Sequence, residues 1–162
     1  MAVAAECVVF VGLPASGKTT FFTQRFAATH THISKDLWPK SARQGPRQAR
    51  ELRAALGAGR SVVVDNTSPT PADRAEILGV AREFGARSIG YFFTASTREA
   101  IGRNRGRQGT ARVPDVAIFT TAKRLVIPTC EEGFDELYRV AIRDDGGWEV
   151  APITRPGPPS TA

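Results

Sequence analysis

Val8-Val-Phe-Val-Gly-Leu-Pro-Ala-Ser-Gly-Lys-Thr-Thr20 decides how the rest of this sequence is read. Within it, Gly12 to Thr19 fits the pattern G-x-x-x-x-G-K-S/T. Chance alone would place such a match in roughly one chain of this length in a few hundred, and the surroundings make chance a poorer explanation still. Cys7 to Val11 is a continuous apolar, β-branched run, the pattern of a strand buried on both faces. Phe21-Phe-Thr-Gln-Arg-Phe26 then spaces its aromatics as an amphipathic helix does. The glycines therefore lie between a strand and the start of a helix, where backbone N–H groups and a helix N-terminus cradle phosphates. Gly12, Pro14, Ala15, Ser16 and Gly17, with Lys18, Thr19 and Thr20, form the expected phosphate site for ATP. Lys18 reaches the β- and γ-phosphates in such a site, and the Thr19 hydroxyl is the Mg²⁺ ligand.

Working outward, 162 residues with 41% hydrophobic and 23% charged content make one soluble domain with room for a core. The expected domain runs over residues 1–150, followed by a disordered tail from Ala151 to Ala162 that contains four prolines. The N-terminus has no basic segment ahead of an apolar core, and no run approaches the roughly 20 apolar residues of a membrane span. Cys7 and Cys130 have no metal spacing and read as reduced thiols, so the expected compartment is the cytoplasm. The net charge is +6, and it is unevenly placed. From Leu37 to Val64, Lys40, Arg43, Arg47, Arg50, Arg53 and Arg60 face Glu51 alone. From Ala100 to Pro114, Arg103, Arg105, Arg107 and Arg112 face no acid. Two such segments point to a polyanionic partner longer than ATP, or to a basic solvated surface.

Strand and helix patterns then alternate along the chain. Thr29 to Ile33 reads as a second strand, with His30 and His32 as ordinary polar residues on it. A helix is expected from about Pro46 to Leu56, with Arg43, Arg47 and Arg50 in one line. Ser61 to Asp65 reads as a third strand, followed by a helix that Thr70 caps and Pro71 opens. Ser88 to Thr94 is the fourth strand, and Ser96 or Thr97 caps a helix to about Arg105. Gly102 to Val113, rich in Gly and Arg, reads as a mobile loop before a helix that Pro114 opens. Leu137 to Ile142 is a fifth strand and Trp148 to Val150 a short sixth. This order predicts an α/β, three-layer P-loop NTPase or kinase fold, with a parallel sheet of about five strands and helices on both faces.

In an open parallel sheet, ligands gather outside the carboxyl ends of the strands. Ser34-Lys35-Asp36 closes the second strand, so Asp36 joins the phosphate-loop edge as the expected base for an alcohol acceptor. Asp65 ends the next strand, where it can hold a magnesium-bound water, orient the acceptor or anchor the following loop. Phosphoryl transfer also needs charge neutralised on the transferred group. Arg107 and Arg103 are the expected lid residues for that role. Asp65-Asn66-Thr67 lacks the Gln or Glu that positions water in many hydrolases, which favours a small kinase over an NTPase.

These stretches in this order resemble the polynucleotide 5′-hydroxyl kinases, and most of all the kinase domain of the polynucleotide kinase/phosphatases. The resemblance rests on Gly12 to Thr19, Ser34 to Asp36, Val64 to Thr67, Arg103 to Arg107 and Pro128 to Phe134, and it spans about Val8 to Ile142. It implies that Asp36 is the general base toward a terminal 5′-OH of DNA or RNA, and that Arg107 contacts the phosphates. It also implies an acceptor side at Lys35, Asp65, Asn66 and Thr67, with Arg43 and Arg47 tracking a nucleic-acid backbone and Trp38 either stacking on the terminal base or packing beneath the loop. Lys35 stands where the family commonly has Arg, which keeps the charge without the bidentate fork. Asp144-Asp145-Gly146 is too late and too poorly matched for the family's Asp-x-Asp-Gly-Thr phosphatase motif, so a stand-alone kinase is expected. Two other readings stay open at this point: a P-loop kinase for a small alcohol or sugar, and a non-catalytic nucleotide-binding module.

Overall fold

The structure is a computed structural model that describes residues 3–39 and 43–154. Among the described residues, six strands form one sheet in the order β2-β3-β1-β4-β5-β6. They are β1 Glu6–Val11, β2 Thr31–Ile33, β3 Val62–Val64, β4 Arg87–Phe93, β5 Glu136–Ile142 and β6 Trp148–Pro152. The helices are α1 Lys18–Arg25, α2 Gln44–Gly57, α3 Pro71–Glu83, α4 Thr97–Arg105 and α5 Asp115–Arg124.

The apolar run that opened the sequence becomes the centre of the sheet. Cys7, Val8, Val9, Phe10 and Val11 are all fully buried, because successive side chains of a strand point to opposite faces and both faces are covered. Cys7, Val9 and Val11 pack with Leu52, Leu56, Ile77 and Ala81 of α2 and α3. Val8 and Phe10 pack on the other face with Phe21 and Phe22 of α1. A smaller cluster of Leu13, Ala100 and Ile118 seats α4 and α5 over the carboxyl end of β1. The three-layer α/β fold expected from the sequence is thus present.

Helix starts follow their local chemistry. Thr70 and Asp73 form a reciprocal capping box at α3 with Pro71 in the first turn. Ser96 is the residue that caps α4, its hydroxyl accepting from the Glu99 N–H. The helix α2 begins at Gln44, two residues before the expected start, and Lys40 lies outside the described residues.

The sheet departs from the expectation at its edge. The sixth strand runs antiparallel to β5, with Ile142 opposite Trp148 and Tyr138 opposite Pro152. Asp144-Asp145-Gly146-Gly147 is a tight turn in which Arg143 N donates to Gly147 O at 2.8 Å and Gly146 takes φ 84°. A connection this short can join only antiparallel neighbours. Ala151, placed in the tail from the sequence, pairs with Arg139 inside β6; residues 155–162 of that tail lie outside the described residues. The segment Gly102 to Val113 is also more ordered than expected. Its first four residues finish α4, and a short 3₁₀ turn occupies Gly109–Ala111. The fully buried Asn104 closes the segment: Nδ2 donates to Val113 O at 2.6 Å, and Val113 N donates to Oδ1 at 3.0 Å.

One buried arginine sets the loop that follows β3. Arg74 of α3 is fully buried, and its Nε donates to Glu132 Oε1 at 2.7 Å while Nη1 donates to Ser68 O at 2.9 Å. Ser68 sits at φ 42°, a conformation that a non-glycine residue adopts only when its surroundings impose it. The segment Pro128 to Phe134 therefore supports the loop beside the site.

Candidate active site

Three loops meet at one edge because three neighbouring strands end there. The phosphate loop follows β1, Asp65 to Thr67 follow β3, and Ser34 to Asp36 follow β2. Since β3 lies between β1 and β2, Asp65 stands between the other two loops. Gly12 N donates to Thr67 O at 3.0 Å, and Asp65 N donates to Ile33 O at 2.8 Å, so the three loops are tied through backbone.

The phosphate loop has the shape of an anion cradle. Ala15 and Gly17 both take left-handed backbone, at φ 62° and 97°, and such alternation points successive N–H groups inward. Its glycine at position 12 is set by space: a Cβ there would lie 2.9 Å from Phe93 Cβ. The first turn of α1 has no acidic residue and no side-chain cap, which leaves the positive helix end to a ligand.

Lys18 is buried, and its Nζ donates to Leu13 O at 2.5 Å, to Gly12 O at 3.1 Å and to Ser16 Oγ at 3.4 Å. Burial lowers its pKa from 10.5 to about 8; Asp65 and Asp36 work against that shift and Arg107 adds to it. The ammonium therefore feels both carboxylates and the Arg107 guanidinium. Those four residues, chosen from the sequence, are brought together.

Asp65 is only 3% exposed and is held on two sides. Thr19 Oγ1 donates to its Oδ2 at 2.9 Å, and His32 Nε2 lies 2.9 Å from the same oxygen. The His32 ring stacks on Phe22 with centroids 4.0 Å apart and planes inclined by 15°. The Thr19 hydroxyl and the Asp65 carboxylate are hard oxygen donors of the type Mg²⁺ takes, so the residues fit that ion.

Asp36 is exposed, in a short 3₁₀ turn at Lys35–Leu37, where Ser34 Oγ accepts from Asp36 N at 3.2 Å. Among the described residues its carboxylate has no hydrogen-bond or ion-pair partner. Lys35 N donates to Asn66 Oδ1 at 3.0 Å, and Asn66 Nδ2 donates to Gln48 Oε1 at 2.5 Å. Asn66, expected on the acceptor side as a substrate contact, has its amide engaged with protein. Thr67 enters through its carbonyl on Gly12.

The basic residues divide into two groups. Arg107 is half-buried, with Nη1 donating to Ala111 O at 3.1 Å, and Arg103 is half-buried in the last turn of α4. Arg43, Arg47 and Arg50 are exposed at the start of α2 and along its outer side. Arg47 covers the Trp38 ring at 4.7 Å, a cation–π contact, and Trp38 also packs at the edge of the core. Trp38 thus has a packing role. Three residues that hold the candidate site or its loops are not evident from the sequence: His32, Gln48 and Asn104. Their partners lie 33, 18 and 9 to 11 residues away, beyond the reach of any periodic pattern. A concavity of about 570 Å³ lies at the opposite, amino edge of the strands, between Ala4, Leu78, Arg82, Ser88 and Asp135, away from all of this chemistry. No helix among the described residues is long and apolar enough to cross a membrane.

Fold and site together define a domain of the P-loop kinase fold. An AAA domain family model (AAA_33) matches residues 7–126, and the chain belongs to that family. It is 30% identical over 145 residues to the bifunctional polynucleotide phosphatase/kinase of Schizosaccharomyces pombe, covering 85% of this chain and 34% of the yeast protein. It is 28% identical over 158 residues to a protein of Acanthamoeba polyphaga mimivirus provisionally named a bifunctional polynucleotide phosphatase/kinase, covering 89% and 36%. The chain thus spans about a third of the length of these relatives. Among solved structures, a fungal RNA kinase superposes with a TM-score of 0.65 at 17% identity, over 86% of this chain and 38% of that one. A gluconokinase from Sinorhizobium meliloti gives 0.60 at 17% identity, over 86% and 84%. The shared fold therefore accommodates both acceptor classes, and the acceptor must be argued from side chains.

Proposed function

We propose that this protein is an ATP-dependent kinase that moves the γ-phosphoryl group of ATP to the 5′-hydroxyl end of a polynucleotide. The observation that carries the reading is the position of Asp36. It is an exposed carboxylate, without a partner among the described residues, on the loop beside the phosphate cradle, close enough to Lys18 to act on its charge. A module that only bound nucleotide would not need a free carboxylate there.

In this reading the inward N–H groups of the loop and the start of α1 hold the triphosphate. Lys18 exchanges its carbonyl partners at Gly12 and Leu13 for β- and γ-phosphate oxygens, which keeps it charged at neutral pH. Thr19 and Asp65 would hold Mg²⁺, which when bound would supply neutralisation of phosphate charge. Asp36 takes the proton of the 5′-hydroxyl as that oxygen bonds to the γ-phosphorus. The bond from phosphorus to the β–γ bridging oxygen breaks, and ADP leaves with the electron pair. Arg107, assisted by Arg103, offsets negative charge on the transferred group.

The exposed arginine line at Arg43, Arg47 and Arg50 favours a polymer over a sugar, since a small neutral acceptor gives these charges nothing to bind. The relatives' names point the same way. The test is phosphate transfer from γ-labelled ATP to a 5′-OH oligonucleotide, with gluconate and similar sugar acids as competing acceptors. Labelled oligonucleotide supports the proposal. Labelled sugar with unlabelled oligonucleotide replaces it with the small-acceptor reading, and ATP binding without transfer to either rejects both.

A further inference from the structure

We infer that Gln48, acting through Asn66, is a positioning residue that fixes the Asp36 loop to the helix carrying the acceptor-facing arginines; this deepens the kinase reading above and rests on it. The buried residues of α2 are Gln48, Leu52, Ala55 and Leu56, the i, i+4, i+7, i+8 stripe that a helix turns toward a sheet. Three members are apolar and pack into the core beneath β1 and β3. Gln48 occupies the fourth place at 8% exposure, where an apolar side chain would be the simpler choice. A buried amide is tolerated where it is bonded, and this one is bonded to a residue of the site.

Asn66 has both ends of its amide engaged. Its Nδ2 donates to Gln48 Oε1 at 2.5 Å, and its Oδ1 accepts from Lys35 N at 3.0 Å. The backbone N–H so held belongs to the residue next to Asp36. From the other side, Gln44 Nε2 lies 3.2 Å from Lys35 O and 3.0 Å from Pro39 O. Gln44 and Gln48 are one helical turn apart, so α2 grips the base loop at two points. The same helix presents Arg43, Arg47 and Arg50 to solvent. The residue before Asn66 is Asp65, which Thr19 of the phosphate loop holds at 2.9 Å. Arginine face, base loop and phosphate loop thereby become one body joined through Asn66.

A general base works only within hydrogen-bond reach of its proton, and a misplacement of about 1 Å can lower a rate by about a hundredfold. Asp36 has no side-chain partner of its own among the described residues, so its position depends on the backbone that Asn66 and Gln44 hold. Asn66 needs an acceptor from Gln48, and nothing more specific. A carboxylate can supply that acceptor; a methyl group cannot.

The test compares wild type, Gln48→Glu and Gln48→Leu in two measurements. Steady-state transfer to a 5′-OH oligonucleotide should show kcat lowered about tenfold or more in Gln48→Leu. The KM for ATP should be unchanged, and kcat should be largely restored in Gln48→Glu. Amide hydrogen exchange across residues 35–38, read without any substrate, should be faster in Gln48→Leu and near wild type in Gln48→Glu. Wild-type kcat in Gln48→Leu overturns the inference, as does a loss in Gln48→Glu as large as in Gln48→Leu. Unchanged exchange in Gln48→Leu overturns it too, even if the wild type labels no oligonucleotide; that last result would reject the polynucleotide reading separately.

Discussion

Replacing Lys18 with Met should remove a pH dependence of stability whose size follows from its burial. The ammonium is 7% exposed and its pKa falls from 10.5 to about 8, chiefly because burial penalises the charged form. Between those values the unfolded chain binds more protons at this site than the folded one, so the Lys18 contribution to stability rises with pH. Two other groups work in the opposite direction. Burial pushes the Cys7 thiol from 9.0 up to about 12 and Tyr91 from 10.0 up to about 12. Both are retained in Lys18→Met, so the difference between wild type and variant cancels them and isolates the lysine. Integrating the two pKa values, the stability of wild type relative to Lys18→Met should grow by about 2 kcal/mol between pH 7 and 9.5. The assay is urea unfolding of both proteins, without nucleotide and under reducing conditions, at several pH values across that interval. A difference that stays flat within about 0.5 kcal/mol would show that burial does not shift Lys18, because a lysine charged at its ordinary pKa in both states adds no slope.

Three further outcomes are expected. Arg47→Ala should weaken oligonucleotide binding for all sequences alike and lower the slope of log affinity against log salt by about 1; an unchanged slope would remove Arg47 from the acceptor path. Gly12→Ala should destabilise the fold by about 1–3 kcal/mol by overpacking, since the new Cβ meets Phe93 Cβ at 2.9 Å; thermal unfolding with the wild-type midpoint would contradict the close approach. Asn104→Ala should cost about 1–3 kcal/mol by leaving the Val113 N–H and carbonyl unpaired, and should speed amide exchange across residues 106–113; protection equal to wild type would show that another contact holds this segment.

Much of the fold was legible because one pattern carried it. The buried run at Cys7 to Val11 required cover on both faces, and the alternation of strands and helices supplied it. The site's main charges were legible for a related reason: in a parallel sheet, Lys18, Asp36 and Asp65 must all stand at the carboxyl edge. The antiparallel edge strand was within reach, because Asp144-Asp145-Gly146-Gly147 is a hairpin turn signal, and the prolines downstream hid that Ala151 belongs to β6. The order within Gly102 to Val113 was not legible. It depends on one buried asparagine folding its own loop, which composition reads as flexibility. His32 looked like an ordinary strand residue because its partner, Asp65, is brought beside it only by the β2–β3 pairing. Gln48 interrupts an apolar stripe, and that polar intrusion was the available signal.

The most direct measurement is the transfer rate of Asp36→Asn beside wild type, with labelled ATP and a 5′-OH oligonucleotide, together with the affinity of both proteins for ATP. Asparagine keeps the size of the side chain and cannot take the proton. The expected result is a kcat lowered by about a hundredfold to ten-thousandfold with ATP affinity unchanged. Wild-type kcat in Asp36→Asn would contradict the role of Asp36 as the base and, with it, the proposed mechanism.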